Sequence, residues 1–156
     1  MPTRPRRRRS DPLPVIGWRE WVRLPELSDI VTKVKVDTGA RSSALHAFDL
    51  KRFERNGEEW ARFDLHPLQR RVRPSLTVEA CIVDERSVTS SSGRSERRPV
   101  IVTPITLGSA TWPIEVTLTR RDEMGFRMLL GRQAIRNRYV VDPGRSFLLG
   151  SRKGNS

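Results

Sequence analysis

Short stretches in which apolar and polar residues alternate are the feature that most constrains the fold of this chain. In the clearest of them, Ile30, Thr32, Val34 and Val36 would point to one side of an extended backbone, and the residues between them to the other. A period of two is typical of a β-strand with one buried face. The pattern therefore predicts a fold built mainly from strands.

Turn signals divide the chain into several such strands. Asn-Gly at 56–57 and Gly-Ser-Ala at 108–110 each separate two alternating segments, which predicts two hairpins. The Ser-rich stretch 88–98 predicts a mobile loop or a hairpin tip, and Asp-Pro-Gly at 142–144 predicts a last hairpin. Only 131–137 looks helical. Six to eight short strands with one short helix near the C-terminus predict an all-β closed barrel or sandwich.

The length and charge restrict the class further. The 156 residues suit one domain at 14–149, with a basic, disordered tail at 1–13 and a polar tail at 150–156. Thirty Lys and Arg against 18 Asp and Glu give a net charge of +12, which favours anionic partners. No apolar run reaches the roughly 18 residues of a membrane span, and the basic N-terminus lacks the apolar region of a secretory signal. The single cysteine, Cys81, excludes an intramolecular disulfide, so we expect a cytoplasmic protein.

The alternating strand leads into the one motif that carries recognisable chemistry. It runs directly into Asp-Thr-Gly-Ala at 37–40, and Met-Leu-Leu-Gly-Arg at 128–132 precedes the short helix. Together with other segments, these residues resemble the bacterial retropepsin-like aspartic peptidases, a group that also goes by the name of ATP-dependent zinc proteases. The resemblance covers nearly the whole body of the chain and is carried by segments 15–20, 35–46, 88–93, 98–101 and 126–132.

The resemblance implies a closed acid-protease barrel and an aspartic peptidase that uses no cofactor. Such an enzyme needs two carboxylates within about 3 Å that share one proton, because two like charges so close cannot both ionise. The chain has one Asp-Thr-Gly, so catalysis by Asp37 requires a homodimer with a second copy at the dyad. The residues expected to support the active-site loop are Thr38, Gly39, Ala40, Gly131 and Arg132.

The resemblance also suggests a substrate. Some members of the group are associated with removing glutamate tails that a partner ligase adds to a ribosomal protein, which implies an acidic, glutamate-rich peptide or protein. Arg41 either selects carboxylates by bidentate pairing or makes a structural ion pair at the dimer edge. Ser91, Ser92 and Gly93 are the best candidates for a flap that binds substrate, with an ordinary surface loop as the alternative.

Two other functions remain open from the residues alone. The first is a non-catalytic basic module that binds the ribosome or RNA, for which the Arg run at 6–9 is the candidate contact; the alternative for that run is a solvated extension. The second is a metallopeptidase. However, the spacings of His46, His66 and Cys81 match no usual metal pattern, and no phosphate-binding loop for ATP occurs, so we predict no metal ligands. We expect Cys81 to be a buried strand thiol.

Overall fold

The structure, a computed structural model, describes residues 12–67, 73, 75–89, 92–120 and 125–150. Within these ranges the chain forms strands almost throughout, with one short helix near the C-terminus, which confirms the predicted all-β class. In chain order the elements are β1 Val15–Gly17, β2 Arg19–Arg23, β3 Thr32–Asp37, β4 Ser43–His46, β5 Phe48–Arg55, β6 Glu58–Leu65, β7 Leu76–Cys81, β8 Asp84–Thr89, β9 Ser95–Leu107, β10 Ala110–Thr119, β11 Met128–Gly131, α1 Arg132–Ile135 and β12 Val140–Asp142.

The described residues hold more strands than the six to eight expected, because β1, β4, β11 and β12 are only three or four residues long. Segments of that length are too short to show an alternating pattern in the sequence. No helix in the described part of the chain has the length and apolar character needed to cross a membrane.

The main sheet closes on itself. Its seven strands are ordered β10-β4-β11-β3-β2-β9-β8, and β9 pairs in addition with β10. That second pairing joins β10, β4, β11, β3, β2 and β9 into a ring, and β8 extends from the side of β9. All six ring strands contribute core side chains that are at most 2 % exposed, among them Val22, Val34, Leu45, Ile101, Leu118 and Leu130. A packed interior of this kind holds the surrounding strand ends in fixed positions.

Several sequence predictions are confirmed at the level of strands. In β3, buried and half-buried residues alternate from Thr32 to Asp37. The hairpin between β5 and β6 turns at Asn56 and Gly57, whose φ angles of 53° and 80° suit the tight turn that Asn-Gly favours. The hairpin between β9 and β10 turns at Gly108. Of the two predictions for 88–98, the hairpin is confirmed by its described residues, since β8 and β9 pair as far as Thr89 opposite Ser95.

The predicted last hairpin is wrong. The strand before the Asp-Pro-Gly turn, β12, pairs in parallel with β1, so that Val140 lies opposite Val15. The segment 147–149 forms no strand. Phe147 has a left-handed backbone with φ of 55°, a conformation that interrupts any extended run. The partner of β12 therefore comes from the opposite end of the described chain. A turn signal at 142–144 predicts pairing only between the segments on either side of it, so it gives no information about β1.

A buried carboxylate explains why the chain after β12 adopts this path. Glu20 on β2 is 1 % exposed. Its Oε2 accepts the N–H groups of Gly17 at 2.6 Å and Leu148 at 2.9 Å, and its Oε1 accepts the N–H of Leu149 at 3.3 Å. Because backbone donors in a buried segment must find acceptors, Glu20 takes the place of a partner strand for this segment.

A second sheet, with β6 between β5 and β7, packs against the ring. Ala61, Phe63 and Leu65 of β6 join the common core. Cys81 lies on β7 as a strand residue, but it is half-buried rather than buried. Its Sγ donates a hydrogen bond to the carboxylate of Glu58 at 3.3 Å. Partial burial, and secondarily this carboxylate, raise the pKa of the Cys81 thiol, so the group is a poor nucleophile.

Candidate active site

Asp37 is the last residue of β3, where the strand leaves the ring. The strand side chains before it are anchored in the core, since Val34 and Val36 are both buried. Asp37 itself is half-buried, and Gly131 of the parallel strand β11 lies opposite it. The carboxylate is therefore held at the edge of a rigid sheet and faces a loop that remains accessible.

The loop that follows folds back onto the Asp37 carboxylate. The N–H of Gly39 donates to Asp37 Oδ1 at 3.0 Å, and the N–H of Ala40 donates to the Asp37 carbonyl at 3.2 Å. Thr38 and Gly39 are exposed. A carboxylate that a backbone N–H orients through one oxygen, and whose other oxygen accepts no hydrogen bond from the described residues, is suited to proton transfer.

Gly131 and Arg132 hold this loop from the other side. The N–H of Arg132 donates to the Ala40 carbonyl at 2.8 Å, and its guanidinium donates to the carbonyls of Gly39 at 3.1 Å and Thr38 at 3.4 Å. The loop and the start of α1 are thus linked by three hydrogen bonds from one residue. The structure brings together the five residues predicted to support the loop.

Arg41 lies at the exit of the loop. It is exposed, and its carbonyl accepts the N–H of Gln133 at 3.2 Å. Among the described residues no carboxylate forms an ion pair with its guanidinium. One of the two roles predicted for Arg41 is a structural ion pair. Within the described part of this chain, Arg41 has no carboxylate partner for such a pair.

Two of the three predicted flap residues lie at the tip of the β8–β9 hairpin. Ser92 and Gly93 are exposed in the turn, and Gly93 has the left-handed φ of 84° that favours glycine. Ser91 lies outside the described residues. Below the tip, the hydroxyls of Thr89 and Ser95 are 3.1 Å apart across the hairpin. The hairpin is thus ordered up to its turn.

A buried hydrogen-bond network, which the sequence did not indicate, connects the base of this hairpin with the active-site loop. Arg98 on β9 is 4 % exposed, and it donates to Glu96 at 2.9 Å and to the Thr117 hydroxyl at 3.5 Å. Thr117 donates to the Ser43 carbonyl at 3.0 Å, and the Ser43 hydroxyl accepts the N–H of Gly131 at 3.1 Å. In the sequence Arg98 is one of many arginines, so its burial has no local signal.

The two histidines pack against one aromatic ring. They stack on opposite sides of Phe48, with ring centroids 4.0 Å (His46) and 3.7 Å (His66) from it. Partial burial, and secondarily the nearby Arg127 guanidinium, lower the pKa of His66. Within the described residues, no three His, Cys, Asp or Glu side chains lie close enough together to hold a metal ion.

The comparison with known protein families agrees with this geometry. A family model described as the retropepsin-like aspartic endopeptidase RimB matches residues 15–152. The chain belongs to this RimB-like family. The match covers the active-site loop, the β8–β9 hairpin and α1, and it confirms the resemblance and the retropepsin-like fold.

Curated relatives carry a different name. A probable alpha-L-glutamate ligase of Shewanella pealeana is 47 % identical over 92 % of this chain, and one of Desulfotalea psychrophila is 45 % identical over 87 %. This chain spans about a third of their length, 31 % and 29 % respectively. A crystal structure of a Legionella pneumophila protein of unknown function is similar with a TM-score of 0.73 and 28 % identity, over 88 % of this chain and 98 % of that one.

Proposed function

We propose that this RimB-like protein is an aspartic peptidase that hydrolyses peptide or amide bonds in acidic, glutamate-rich substrates, with Asp37 from each chain of a homodimer. The observation that carries the proposal is the position of Asp37. Its half-buried carboxylate lies at the end of a core strand, one oxygen is oriented by the Gly39 N–H, and the loop is fixed by Arg132. A single Asp-Thr-Gly supplies one of the two carboxylates required, so a second chain must supply the other.

The chemistry follows from two carboxylates that share one proton. The ionised carboxylate takes a proton from a water molecule while the water oxygen attacks the carbonyl carbon, and the protonated carboxylate gives its proton to the carbonyl oxygen. The resulting tetrahedral diol loses a hydroxyl proton to the ionised carboxylate while the protonated carboxylate gives its proton to the nitrogen, and the C–N bond breaks to release a carboxylic acid and a neutral amine. The pair thereby returns to its starting state with one proton.

The names of the relatives support the choice of substrate. They are called probable alpha-L-glutamate ligases, and this chain matches about a third of their length. A peptidase domain that accompanies a glutamate ligase is suited to hydrolysing the glutamyl amide bonds that ligation forms. In this proposal Arg41, exposed and without an ion pair among the described residues, is available to bind substrate carboxylates.

The proposal is tested by substituting Asp37→Asn and measuring release of glutamate or short peptides from a synthetic glutamate-rich peptide. We expect a loss of at least about a thousandfold in turnover, because the general base and its shared proton are removed. The matched control is Asp49→Asn, which changes an exposed carboxylate on β5 and should leave turnover unchanged. Full activity of Asp37→Asn would contradict the proposal.

Mixing the two proteins tests the dimer separately. When wild type and Asp37→Asn are mixed in equal amounts and exchange subunits, about a quarter of the dimers carry two intact Asp37 residues. The activity should then be about half that of the same amount of wild type alone. Unchanged activity after exchange would show that one chain carries the complete site. If neither protein hydrolyses the peptide while both bind it, a non-catalytic binding module becomes the better description.

A further inference from the structure

A second feature of the fold is a cleft beside the active-site loop that the proposed chemistry does not use. It has a volume of about 480 Å³ and lies between the loop, the start of β10 and α1. We name it the arginine cleft after Arg86, Arg136 and Arg138, which line it. Its volume is within the usual range of ligand sites, roughly 300–1,000 Å³.

The charge of the arginine cleft is unbalanced. Arg86 is already paired, with Glu115 at 3.3 Å and with Asp84 at 3.5 Å. Arg136 and Arg138 are exposed, and no ion pair joins either guanidinium to a carboxylate of the described residues. The cleft therefore presents two uncompensated guanidinium groups, each able to donate two parallel hydrogen bonds to a carboxylate.

One wall of the cleft is rigid. The Trp112 ring is 6 % exposed, and its Nε1 donates to the Ala134 carbonyl at 3.1 Å. The Arg138 guanidinium lies over this ring, 4.7 Å from its centre. A cation held on an aromatic face is restricted in its motion, so Arg138 loses less conformational entropy when it binds an anion.

The cleft is continuous with the active-site loop. Ser42, which lines it, directly follows Arg41, and Gln133, which also lines it, donates its N–H to the Arg41 carbonyl at 3.2 Å. An extended peptide, which advances about 3.3 Å per residue, could therefore run from the active-site loop into the cleft.

We propose that the arginine cleft binds carboxylate side chains of an acidic peptide segment next to the bond to be cleaved, through Arg136 and Arg138. The inference rests on the proposed function, because that function places the peptide beside Asp37. It adds a binding site outside the catalytic loop. A nucleic acid fits the cleft less well. Single-stranded nucleic acids bind by stacking bases on exposed aromatic rings, and the one aromatic ring in the lining, Trp112, is buried beneath Arg138.

The experiment measures binding without turnover, in the Asp37→Asn background. The probe is a fluorescent oligo-L-glutamate peptide of about ten residues, followed by anisotropy. We expect Arg136→Gln with Arg138→Gln to weaken binding about tenfold. The matched control is Arg73→Gln with Arg145→Gln, which removes the same two charges from exposed positions outside the cleft and should change binding by less than about twofold.

Because misfolding could also weaken peptide binding, the experiment includes a variant that should bind the peptide more tightly. Glu115→Gln removes the carboxylate that occupies Arg86, so it should tighten peptide binding, whereas Glu54→Gln on β5 should not. Equal weakening by both arginine pairs, no binding of the peptide, or tighter binding of a single-stranded RNA of equal charge that depends on Arg136 and Arg138 would each overturn the inference. Because binding is read in the Asp37→Asn protein, absence of hydrolysis by the wild type would overturn the proposed function alone.

Discussion

At the scale of single residues, Gly131 has little freedom to change. A Cβ at this position would lie 2.5 Å from the carbonyl carbon and oxygen of Ser42 and 3.0 Å from the carbonyl oxygen of Ala40. All three are backbone atoms of the loop that carries Asp37, so the loop itself would have to move. We expect Gly131→Ala to lower the free energy of unfolding by about 1–3 kcal/mol and to reduce turnover, as measured by urea denaturation and peptide hydrolysis.

Gly144 provides the matched control for this substitution. Its Cβ would meet no atom closer than Asp142 Oδ1 at 3.5 Å, which is an ordinary contact. Gly144→Ala should therefore leave stability unchanged or raise it slightly, by up to about 1 kcal/mol, since alanine reduces the freedom of the unfolded chain. If both variants lose stability equally, the close contact at Gly131 is not the cause.

The same scale shows which residues the sequence could identify. Asp37 and Gly131 lie in short motifs that resemble those of the retropepsin-like peptidases, so the resemblance singles them out. Glu20 and Ser43 were not predicted, because their partners are far away in the chain: Glu20 binds the N–H of Leu148, 128 residues later, and Ser43 binds Gly131, 88 residues later. Such long-range pairs leave no pattern in a single sequence.

At the scale of elements, the β8–β9 hairpin depends on Thr117. Its hydroxyl accepts from Arg98 at 3.5 Å and donates to the Ser43 carbonyl at 3.0 Å, so it joins the hairpin base to the active-site loop. Thr117→Val keeps the shape but leaves buried groups without partners, and it should lower the free energy of unfolding by about 1–3 kcal/mol. Hydrogen exchange should rise in β8, β9 and the loop, and not in β5 and β6.

Thr111→Val is the matched control, since the Thr111 hydroxyl bonds that of Thr106 at 2.8 Å in an exposed pair on β9 and β10. Water can replace that bond, so stability should change by less than about 0.5 kcal/mol. If hydrogen exchange of the hairpin is the same in both variants, Thr117 does not couple it to the loop.

The strands also show how much of the fold the alternating pattern predicts. It located β3 and the hairpins at Asn56-Gly57 and Gly108, because there the pairing partner is adjacent in sequence and the turn residues fix the connection. It failed for β12, whose partner β1 lies more than 120 residues away. Most pairings in the ring, such as β3 with β11 and β4 with β10, join strands that lie far apart in the sequence, so the alternation predicted strands and left a barrel or a sandwich open.

At the scale of the whole molecule, the composition shows that the chain is basic, and the structure shows where part of this positive charge lies. The net charge of +12 favours any anion. The structure places two uncompensated arginines, Arg136 and Arg138, in a cleft next to the loop of Asp37. A general preference for acidic partners thereby becomes a proposal about one surface that individual substitutions can test.

The stability of the whole molecule should also depend on pH through His66. Partial burial and the Arg127 guanidinium lower its pKa from the ordinary value of 6.5, against the weaker opposing effects of Asp64 and Asp49. The unfolded chain then binds a proton more readily than the folded chain, so the stabilisation present above about pH 6.5 is lost as the pH falls toward the lowered value.

His66→Phe should remove this dependence while it keeps a ring to stack on Phe48, whose centroid is 3.7 Å away. Urea midpoints between about pH 7 and pH 5 should fall for the wild type and fall less for the variant. Hydrogen bonds from Arg55 and Arg62 lower the pKa of Glu79 from its ordinary value of 4.5. Protonation of Glu79 therefore changes the stability only below that value, outside the range between about pH 7 and pH 5. Identical slopes for the two proteins would show that His66 does not control stability here, because the variant lacks only the imidazole of His66.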